Sequence, residues 1–498
     1  MVFNSYIFIL LFLPITVVGY HIINQKSRFV LARLFLLGMS LWFYCFAEIK
    51  TLPILLCSLI INYALATFLL SSKYLPKSSV IHKKGGRIGV LTLGIILNIA
   101  ALLYFRYLIF LEISVNLLFH TSFTYVNVLV PLGISFITFS QISYLVDTYR
   151  DETLYYPFLD YALYVAFFPK VTVGPIALSS ELIPQFRDSL RKKVNYDNLA
   201  KGLYALAFGF AKKLLIADHL APVADWGYRN ISTLGTTNAA FVMLAYTMQI
   251  YFDFSGCCDI ATGICLMLNI ELPVNFDSPY RAVSIDDFWK RWHITLTRFF
   301  RNYVYIPLGG NRKGAFRKYL NIMIIFALSG LWHGASVTFI LWGILHGVGS
   351  CLSKLFANVS AKLPKSVRFP GTFLFVNIAW IFFRAPDIQS ALDFMKQLVS
   401  MKFTALDQML VVNATPAECE FIQWTIQQFN PRMPYYSGAF MIILLLVFAC
   451  FASIFMKNTH ERLKEFTICR KNVLITVVLL SLSILAMSEV SAFLYVNF

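Results

Sequence analysis

Two histidines stand out because of the residues around them. His333 lies between residues 319–331 and 336–345, which are almost wholly apolar, and His293 lies earlier in the chain within the segment 284–303. An imidazole titrates near neutral pH and can take up or release a proton. Ionisable side chains inside a membrane are costly and usually functional, so we predict a functional role for His333. The alternative is a core histidine bonded to a backbone carbonyl.

The segment around His293 is predicted to be one amphipathic helix. Ser284 and Asp287 form an acidic variant of the capping box, and apolar residues then recur at helical spacing on one face. These residues are Phe288, Trp292, Leu296, Phe299 and Tyr303. His293, Thr297 and Arg301 fall on another face. Basic amphipathic helices often lie in the membrane surface, so a surface position and a functional one both stay open for His293.

Polar residues that follow His293 are candidates for binding a substrate. Arg298 and Arg301 could anchor a phosphate or an anionic carrier. Asn311 and Arg312 end the turn formed by residues 307–312. That turn lacks the Lys-Ser/Thr ending of a nucleotide-binding P-loop, so ATP binding is not predicted.

Three further side chains are interpreted by their position beside these histidines. Trp332 would give a flat wall next to His333, and the glycine on either side of this pair permits close approach by backbone or ligand. Asp253 directly follows an apolar run and could orient a histidine or cap a helix. His346 lies in the apolar segment that follows His333 and is interpreted as structural.

Several kinds of site are not indicated. The chain has no Gly-x-Ser-x-Gly elbow and no His-Glu-x-x-His motif, so neither a nucleophilic serine nor a metal is predicted. Its nine cysteines lack the spacing of a zinc site or a disulfide framework. The net charge of +17 could suggest nucleic acid, but the basic residues fall between apolar runs and no nucleic-acid-binding motif is present. Loop orientation in a membrane explains them better.

The elements that must position these residues are apolar helices. Of the 498 residues, 58% are hydrophobic and 13% charged, whereas a soluble chain has about a quarter charged residues. A spanning helix needs about 20 apolar residues, and the candidate runs are 6–23, 29–47, 52–70, 88–111, 126–146, 161–173, 203–215, 239–251, 320–331, 337–348, 373–383, 441–455 and 473–490. We predict an all-α polytopic membrane protein with roughly 11 transmembrane helices, plus re-entrant or interfacial helices, because several runs are too short to span.

The organisation of these helices is predicted in outline. Pro131 and Gly133 should kink or break the run 126–146, and residues 168–175 should form a broken helix. No internal repeat or linker is found, so residues 1–498 are predicted to form one domain. By the positive-inside rule, the basic loops after the first and third runs, before His333 and before the last run face the cytoplasm, while the acidic loop 385–436 faces outward.

An ordered set of short motifs resembles the membrane-bound O-acyltransferase family. The motifs are DFSG at 253–256, PY at 279–280, DFWKRWHI at 287–294, YIPLGGNR at 305–312 and LWHGA at 331–335, with FPKVTVGP at 168–175. The pattern is most similar to the bacterial branch that includes the alginate O-acetyltransferase membrane subunit. One departure is the pair Cys257 and Cys258, where relatives often have an aromatic and a small residue. The motif core is about 126–350, and residues 371–498 are less diagnostic.

The resemblance implies transfer of an acyl group, specifically O-acetylation, through a central tunnel in the bilayer. The near-invariant family histidine corresponds to His333, and the second polar catalytic position to His293. The donor would be a cytoplasmic thioester, acetyl-CoA or an acyl carrier protein, with no bound cofactor. A neutral histidine in a dry site can act as general base on the acceptor hydroxyl, and the other would orient the thioester or stabilise the oxyanion.

The resemblance also implies a location and partners. The chain would be a multi-pass protein of the bacterial cytoplasmic (inner) membrane, in contact with membrane lipid and with an extracytoplasmic acetyltransferase-type partner. That partner would modify a polysaccharide such as alginate; peptidoglycan and other envelope polymers are alternatives. A polytopic transporter or flippase and a non-catalytic scaffold are competing hypotheses, although transporters tend to show internal repeats.

Overall fold

The computed structural model describes residues 1–71, 84–122, 128–414, 424–425, 427–428, 430 and 432–487. The basic residues Lys73, Lys77 and Lys83 and the acidic residues Glu418 and Glu420, which carry part of the predicted loop orientation, lie outside the described residues. So do the beginning of the run 126–146 and the end of the run 473–490.

The regular structure of the described residues is helical. The α-helices are Leu13–Gln25, Phe29–Glu48, Leu52–Ser71, Lys84–Leu102, Leu108–Phe119, Ile134–Tyr149, Phe158–Ala166, Phe168–Val171, Ser179–Arg187, Tyr196–Phe210, Asp218–Arg229, Thr236–Met267, Ile285–Trp289, Ile294–Phe300, Gly314–His333, Val337–Leu355, Ala357–Lys362, Lys365–Arg384, Ile388–Leu398, Gln408–Ala414, Met433–Phe455, Thr459–Lys464 and Arg470–Leu485. Four π-helical segments, Phe8–Phe12, Leu103–Tyr107, Ala211–Ala217 and Arg301–Tyr305, continue or join them.

Seven helical stretches of the described chain are long and apolar enough to cross a membrane. They are Phe8–Gln25, Phe29–Ser71, Gly86–Asn116, Thr236–Met267, Val337–Leu355, Lys365–Arg384 and Met433–Phe455. The stretch Phe29–Ser71 contains two helices joined by a short 3₁₀ turn. The prediction of an all-α polytopic membrane protein is confirmed, while the number of about 11 spans and the central tunnel stay predictions.

The chain divides into two compact units. The first contains Met1–Leu206, Ala261–Pro273 and Arg298–Tyr303, and the second contains Ala207–Ile260, Val274–Thr297 and Val304–Phe498. In the first unit, the aromatic side chains of Phe8, Phe12, Phe43 and Phe168 pack together. The second unit contains both histidines to which the sequence analysis assigns chemistry. The prediction of one domain over residues 1–498 stays a prediction.

Two predicted helical runs have other bounds in the structure. The run 126–146 was expected to be kinked or broken by Pro131 and Gly133, and a break is present, because the helix begins at Ile134, directly after Gly133. Gly133 has a left-handed φ of +66°, and a Cβ there would lie 2.0 Å from the carbonyl oxygen of Val171, so only glycine fits this helix start. The run 239–251 instead lies in the N-terminal half of a helix that extends over Thr236–Met267. The predicted break near residue 168 is confirmed, since one helix ends at Ala166 and the next begins at Phe168.

Candidate active site

A helical hairpin positions His333. Helix Gly314–His333 ends on this residue, and helix Val337–Leu355 returns beside it. A Cβ on Gly330 would lie 2.2 Å from the carbonyl oxygen of Phe339. The two helices therefore approach more closely than any larger residue at position 330 would allow. The predicted close approach is made by the chain's own backbone.

The imidazole of His333 lies among aromatic rings. It is 2% exposed, and its centroid lies 4.8 Å from that of Trp332, 5.1 Å from that of Trp342 and 5.2 Å from that of Phe383. Aromatic rings of three neighbours thus exclude water from this imidazole.

His293 lies at a break between two short helices. The helix Ile285–Trp289 ends before it and Ile294–Phe300 begins after it, and His293 has a left-handed φ of +44°. The prediction of one continuous amphipathic helix is therefore wrong. The surface position is also wrong, since His293 is fully buried. A non-glycine residue in the left-handed region costs on the order of 1 kcal/mol, and such outliers concentrate at functional sites.

Asn275 and two aromatic rings surround His293. Its Nδ1 lies 3.1 Å from Oδ1 of Asn275, and the next residue donates its backbone N–H to the carbonyl oxygen of Asn275 over 3.0 Å. The ring of Phe254 stands edge-on at 4.8 Å, and that of Trp332 lies at 6.1 Å. These contacts fix the ring on several sides and explain how the strained backbone is held.

Trp332 links the two histidines. Its ring lies 6.1 Å from that of His293 and 4.8 Å from that of His333. The series continues through Trp342, which lies 5.1 Å from His333 and 5.0 Å from His346. We call these five residues, His293, Trp332, His333, Trp342 and His346, the imidazole–indole row. The sequence analysis considered the three histidines one by one, and the structure connects them through the two tryptophan rings.

Asp253 has a different environment from the one expected. It lies within helix Thr236–Met267 rather than after a helix end, so it is not a cap. Its carboxylate lies 2.6 Å from Nζ of Lys213, which also binds Asp218 over 2.8 Å. Burial lowers the pKa of Lys213, but the two carboxylates raise it more, so the lysine stays charged. Asp253 thus forms a buried ion pair, while the adjacent residue, Phe254, contacts His293.

Of the four predicted anion-binding residues, one is bonded to another side chain and three are exposed. Arg298, in the first unit, forms a bidentate pair with Glu181 at 2.5 and 2.8 Å and donates to the carbonyl oxygen of Ile176. Its guanidinium is therefore occupied by structural contacts. Arg301, also in the first unit, is exposed, as are Asn311 and Arg312 in the second. Their binding roles stay predictions.

Burial determines the protonation of His293. It lies outside the seven candidate spans, and burial lowers its pKa from 6.5 to about 3. The ring is therefore neutral at physiological pH. Its Nε2 is buried and has no hydrogen-bond partner within the part of the chain that the structure describes. A neutral imidazole with one nitrogen unused by the fold can take part in proton transfer.

Sequence reasoning missed Asn275, Phe254 and Lys213. Asn275 and His293 are distant in sequence, and no spacing rule predicts a contact between an asparagine and a histidine so far apart in the chain. The apolar character of Phe254 gave no reason to separate it from its neighbours. Lys213 could have been found, because it interrupts the apolar run 203–215, and a lysine inside such a run requires a carboxylate partner.

Comparisons with known proteins all find similarity to acyltransferases. A model of the membrane-bound O-acyltransferase family matches residues 41–386. The chain is 36% identical to the peptidoglycan O-acetyltransferase of Helicobacter pylori, over 100% of this chain and 98% of the relative. It is 36% identical to the "Probable alginate O-acetylase AlgI" of Azotobacter vinelandii, over 78% of this chain and 76% of the relative. The teichoic acid D-alanyltransferase of Bacillus subtilis is 28% identical over 45% of this chain and 58% of its own length.

Proposed function

This chain belongs to the membrane-bound O-acyltransferase family, and we propose that it transfers an acetyl group from a cytoplasmic thioester for O-acetylation of an extracytoplasmic polymer. It is an integral, multi-pass membrane enzyme. Because the family consists of acyltransferases, acyl transfer is favoured over the transporter and scaffold hypotheses. The bacterial inner membrane is its proposed location, because thioester donors are made in the cytoplasm and the polymer lies outside.

The observation that carries the proposal is the position of Trp332 between two buried imidazoles. His293 and His333 both contact its ring, and both are nearly inaccessible to water. A dry site of this kind suits a thioester, which hydrolyses when water competes with the acceptor. It also strengthens every hydrogen bond made to the reacting groups.

The proposed transfer needs no metal and no covalent enzyme intermediate. The acceptor hydroxyl oxygen attacks the thioester carbonyl, forming the C–O bond, and its proton passes to an imidazole, assigned to His333. The C–S bond then breaks, and the proton passes from the imidazole to the leaving thiolate. The products are the ester and the free thiol of the carrier. General acid–base catalysis of this kind contributes about 10²- to 10⁴-fold.

The donor is proposed to meet the exposed basic residues that follow His293. Arg312 and Lys313 are exposed, and Arg317 and Lys318 are partly so. Their charges suit an anionic carrier such as coenzyme A or an acyl carrier protein. Replacing these four residues by Glu should raise the KM for the donor and weaken its salt dependence, with the histidines intact. Unchanged donor kinetics in a folded variant would place donor binding elsewhere.

The proposed acceptor is a hydroxyl on an extracytoplasmic partner protein, which passes the acetyl group to the polymer. Peptidoglycan and alginate are both supported by the names of relatives. The peptidoglycan enzyme matches the chain over its whole length, including the residues after 386, which favours peptidoglycan over the alginate first expected. Comparing acetyl content in isolated peptidoglycan and exopolysaccharide after deletion of the gene separates the two.

Acetyl transfer from labelled acetyl-CoA in membrane vesicles tests the function. His333→Ala should abolish transfer while the protein stays folded in the membrane. His460→Gln is the matched control, because His460 is a half-buried histidine outside the imidazole–indole row, and it should transfer at the parental rate. Parental transfer by a well-folded His333→Ala variant would refute the catalytic assignment.

A further inference from the structure

Asn275 contacts His293 and residues on either side of it. Its Oδ1 lies 3.1 Å from Nδ1 of His293, and it accepts from the backbone N–H and the hydroxyl of Thr295 over 3.3 and 2.8 Å. On the other side, its Nδ2 donates to Sγ of Cys258 over 3.3 Å. Asn275 is 3% exposed, so water cannot replace these contacts at low cost.

The orientation of the Asn275 amide follows from its partners. Oxygen and nitrogen of an amide are nearly alike in shape, so the orientation must be assigned from the hydrogen-bond network. A backbone N–H can only donate, and the N–H of Thr295 points to the same amide atom as Nδ1 of His293. That atom must therefore be the acceptor, Oδ1. A flipped amide would set two donors against each other.

The proton of His293 then has a defined place. A carbonyl oxygen has no proton to donate, so Nδ1 of His293 must carry the hydrogen of their bond. In a neutral imidazole only one nitrogen is protonated, and the other is an acceptor. We infer that Asn275 is a positioning residue that keeps neutral His293 in the Nδ1–H tautomer, so that Nε2 serves the reaction as a hydrogen-bond acceptor.

This inference rests on the proposed function and changes one part of it. A ring with a bare Nε2 cannot donate a hydrogen bond to an oxyanion, the role expected for His293 from the sequence. Its Nε2 can instead accept a hydrogen bond from an N–H or O–H of the bound substrate other than the hydroxyl whose proton passes to His333. Phe254 and Trp332 cover the ring, His333 lies against the same Trp332, and Cys258 lies beyond the Asn275 amide. Burial lowers the pKa of His293, which keeps the ring neutral, so that one nitrogen carries a proton and the other does not.

A spectroscopic measurement tests the inference without any assay of activity. The protein is labelled with ¹⁵N-histidine, reconstituted in lipid nanodiscs and observed by NMR, and the His293 signals are identified by their loss in His293→Gln. At pH 7 we expect a proton on Nδ1 and a bare Nε2. Asn275→Leu should make the second tautomer detectable. A wild-type ring protonated on Nε2 would overturn the inference, even if Asn275→Leu failed to fold.

Kinetics provide the second test. Asn275→Leu should lower kcat by at least about 10-fold, the scale on which an orienting partner acts on a histidine, with little change in KM. In the His293→Gln background, the same substitution should add nothing. Thr295→Val is the matched control: it removes one hydroxyl contact to Asn275 but keeps the backbone N–H that orients the amide, so it should keep the parental pH profile and tautomer.

A conservative variant separates positioning from packing. Asn275→Asp keeps an acceptor at Nδ1 but adds a negative charge, which favours the imidazolium. It should restore the tautomer and shift the acid limb of the rate profile to higher pH. An additive loss for Asn275→Leu in the His293→Gln background would reduce Asn275 to a packing residue. Parental transfer by His293→Gln would instead refute the proposed role of His293, while the tautomer measurement would still stand.

Discussion

His293 and His346 make an instructive pair, because burial and residue type are the same and the hydrogen bonds are opposite. Both rings are fully buried. Nδ1 of His293 faces the acceptor Oδ1 of Asn275, whereas Nδ1 of His346 accepts from Nε1–H of Trp289 over 3.2 Å. Indole nitrogen can only donate, so neutral His346 carries its proton on Nε2. Whether the neighbour of Nδ1 accepts or donates a hydrogen bond thus decides whether Nε2 of a buried, neutral histidine is an acceptor or a donor.

Within this pair, the larger effect is expected at His293. His293→Gln removes the imidazole Nε2 that accepts a hydrogen bond from the bound substrate, so acetyl transfer should fall by about 10²-fold, the scale on which a misplaced substrate slows a reaction. Labelled acetyl transfer in vesicles measures this, normalised to folded protein. A loss no greater than that of a substitution at His346 would erase the functional difference between the two histidines.

The same comparison shows where sequence reasoning succeeds and fails. The long apolar runs correctly predicted an all-α membrane protein, because a helix satisfies its backbone hydrogen bonds internally, while the number of spans stays a prediction. The break at His293 could not be predicted, because Phe288, Trp292 and Leu296 have helical spacing on either side of it. The contact that holds the break comes from Asn275, through a bond to the backbone N–H of Ile294. Local periodicity carries no information about such a partner.

The prediction that Asp253 follows a helix end was wrong for a related reason. An ionised side chain at the end of an apolar run indicates the end of a helix, because burying an isolated charge is costly. Lys213 removes that cost through a contact of 2.6 Å, and the helix continues to Met267. The motifs nevertheless selected His293, His333 and Trp332, whose rings the structure brings together, although their spacing alone did not show that Trp332 lies between the two imidazoles.

A smaller effect is expected on the pH dependence of stability. Burial lowers the pKa of folded His293 to about 3, against 6.5 in its ordinary state. Between these values the unfolded chain binds a proton that the folded chain does not, so stability should fall as pH decreases, by at most about 1.4 kcal/mol per pH unit. Above pH 6.5 this contribution is constant.

Thermal unfolding in detergent between pH 7 and pH 4 measures this effect. The midpoint of the wild-type protein should decrease more steeply with falling pH than that of His293→Gln, which has no group to titrate. Burial also lowers the pKa of His460, so His460→Gln should flatten the curve as well. Parallel curves for wild type and His293→Gln would mean that His293 is charged in the folded protein, which contradicts its neutral state.

The next prediction concerns acetyl transfer after substitution of His346. His346→Phe keeps a flat ring between Trp289 and Trp342 but removes both ring nitrogens. If His346 is structural, transfer should change by less than about 3-fold, since neighbours that only pack leave the reacting groups in place. A loss as large as that of His293→Gln would make the Nε2–H of His346 a working donor, and the imidazole–indole row would then act as one unit.

The smallest expected effect comes from Trp289. Trp289→Phe preserves an aromatic ring beside His346 but removes the N–H that bonds its Nδ1. Losing this buried hydrogen bond should cost about 1 kcal/mol of stability, and His346 becomes free to change tautomer, while His293 and Asn275 are untouched. Transfer should therefore stay close to the parental rate, and the NMR signals of His293 should not move. If instead the tautomer of His293 changed in this variant, the two histidines would be coupled along the row through Trp342, His333 and Trp332, and their opposite hydrogen bonds would be two ends of one network rather than two independent local choices.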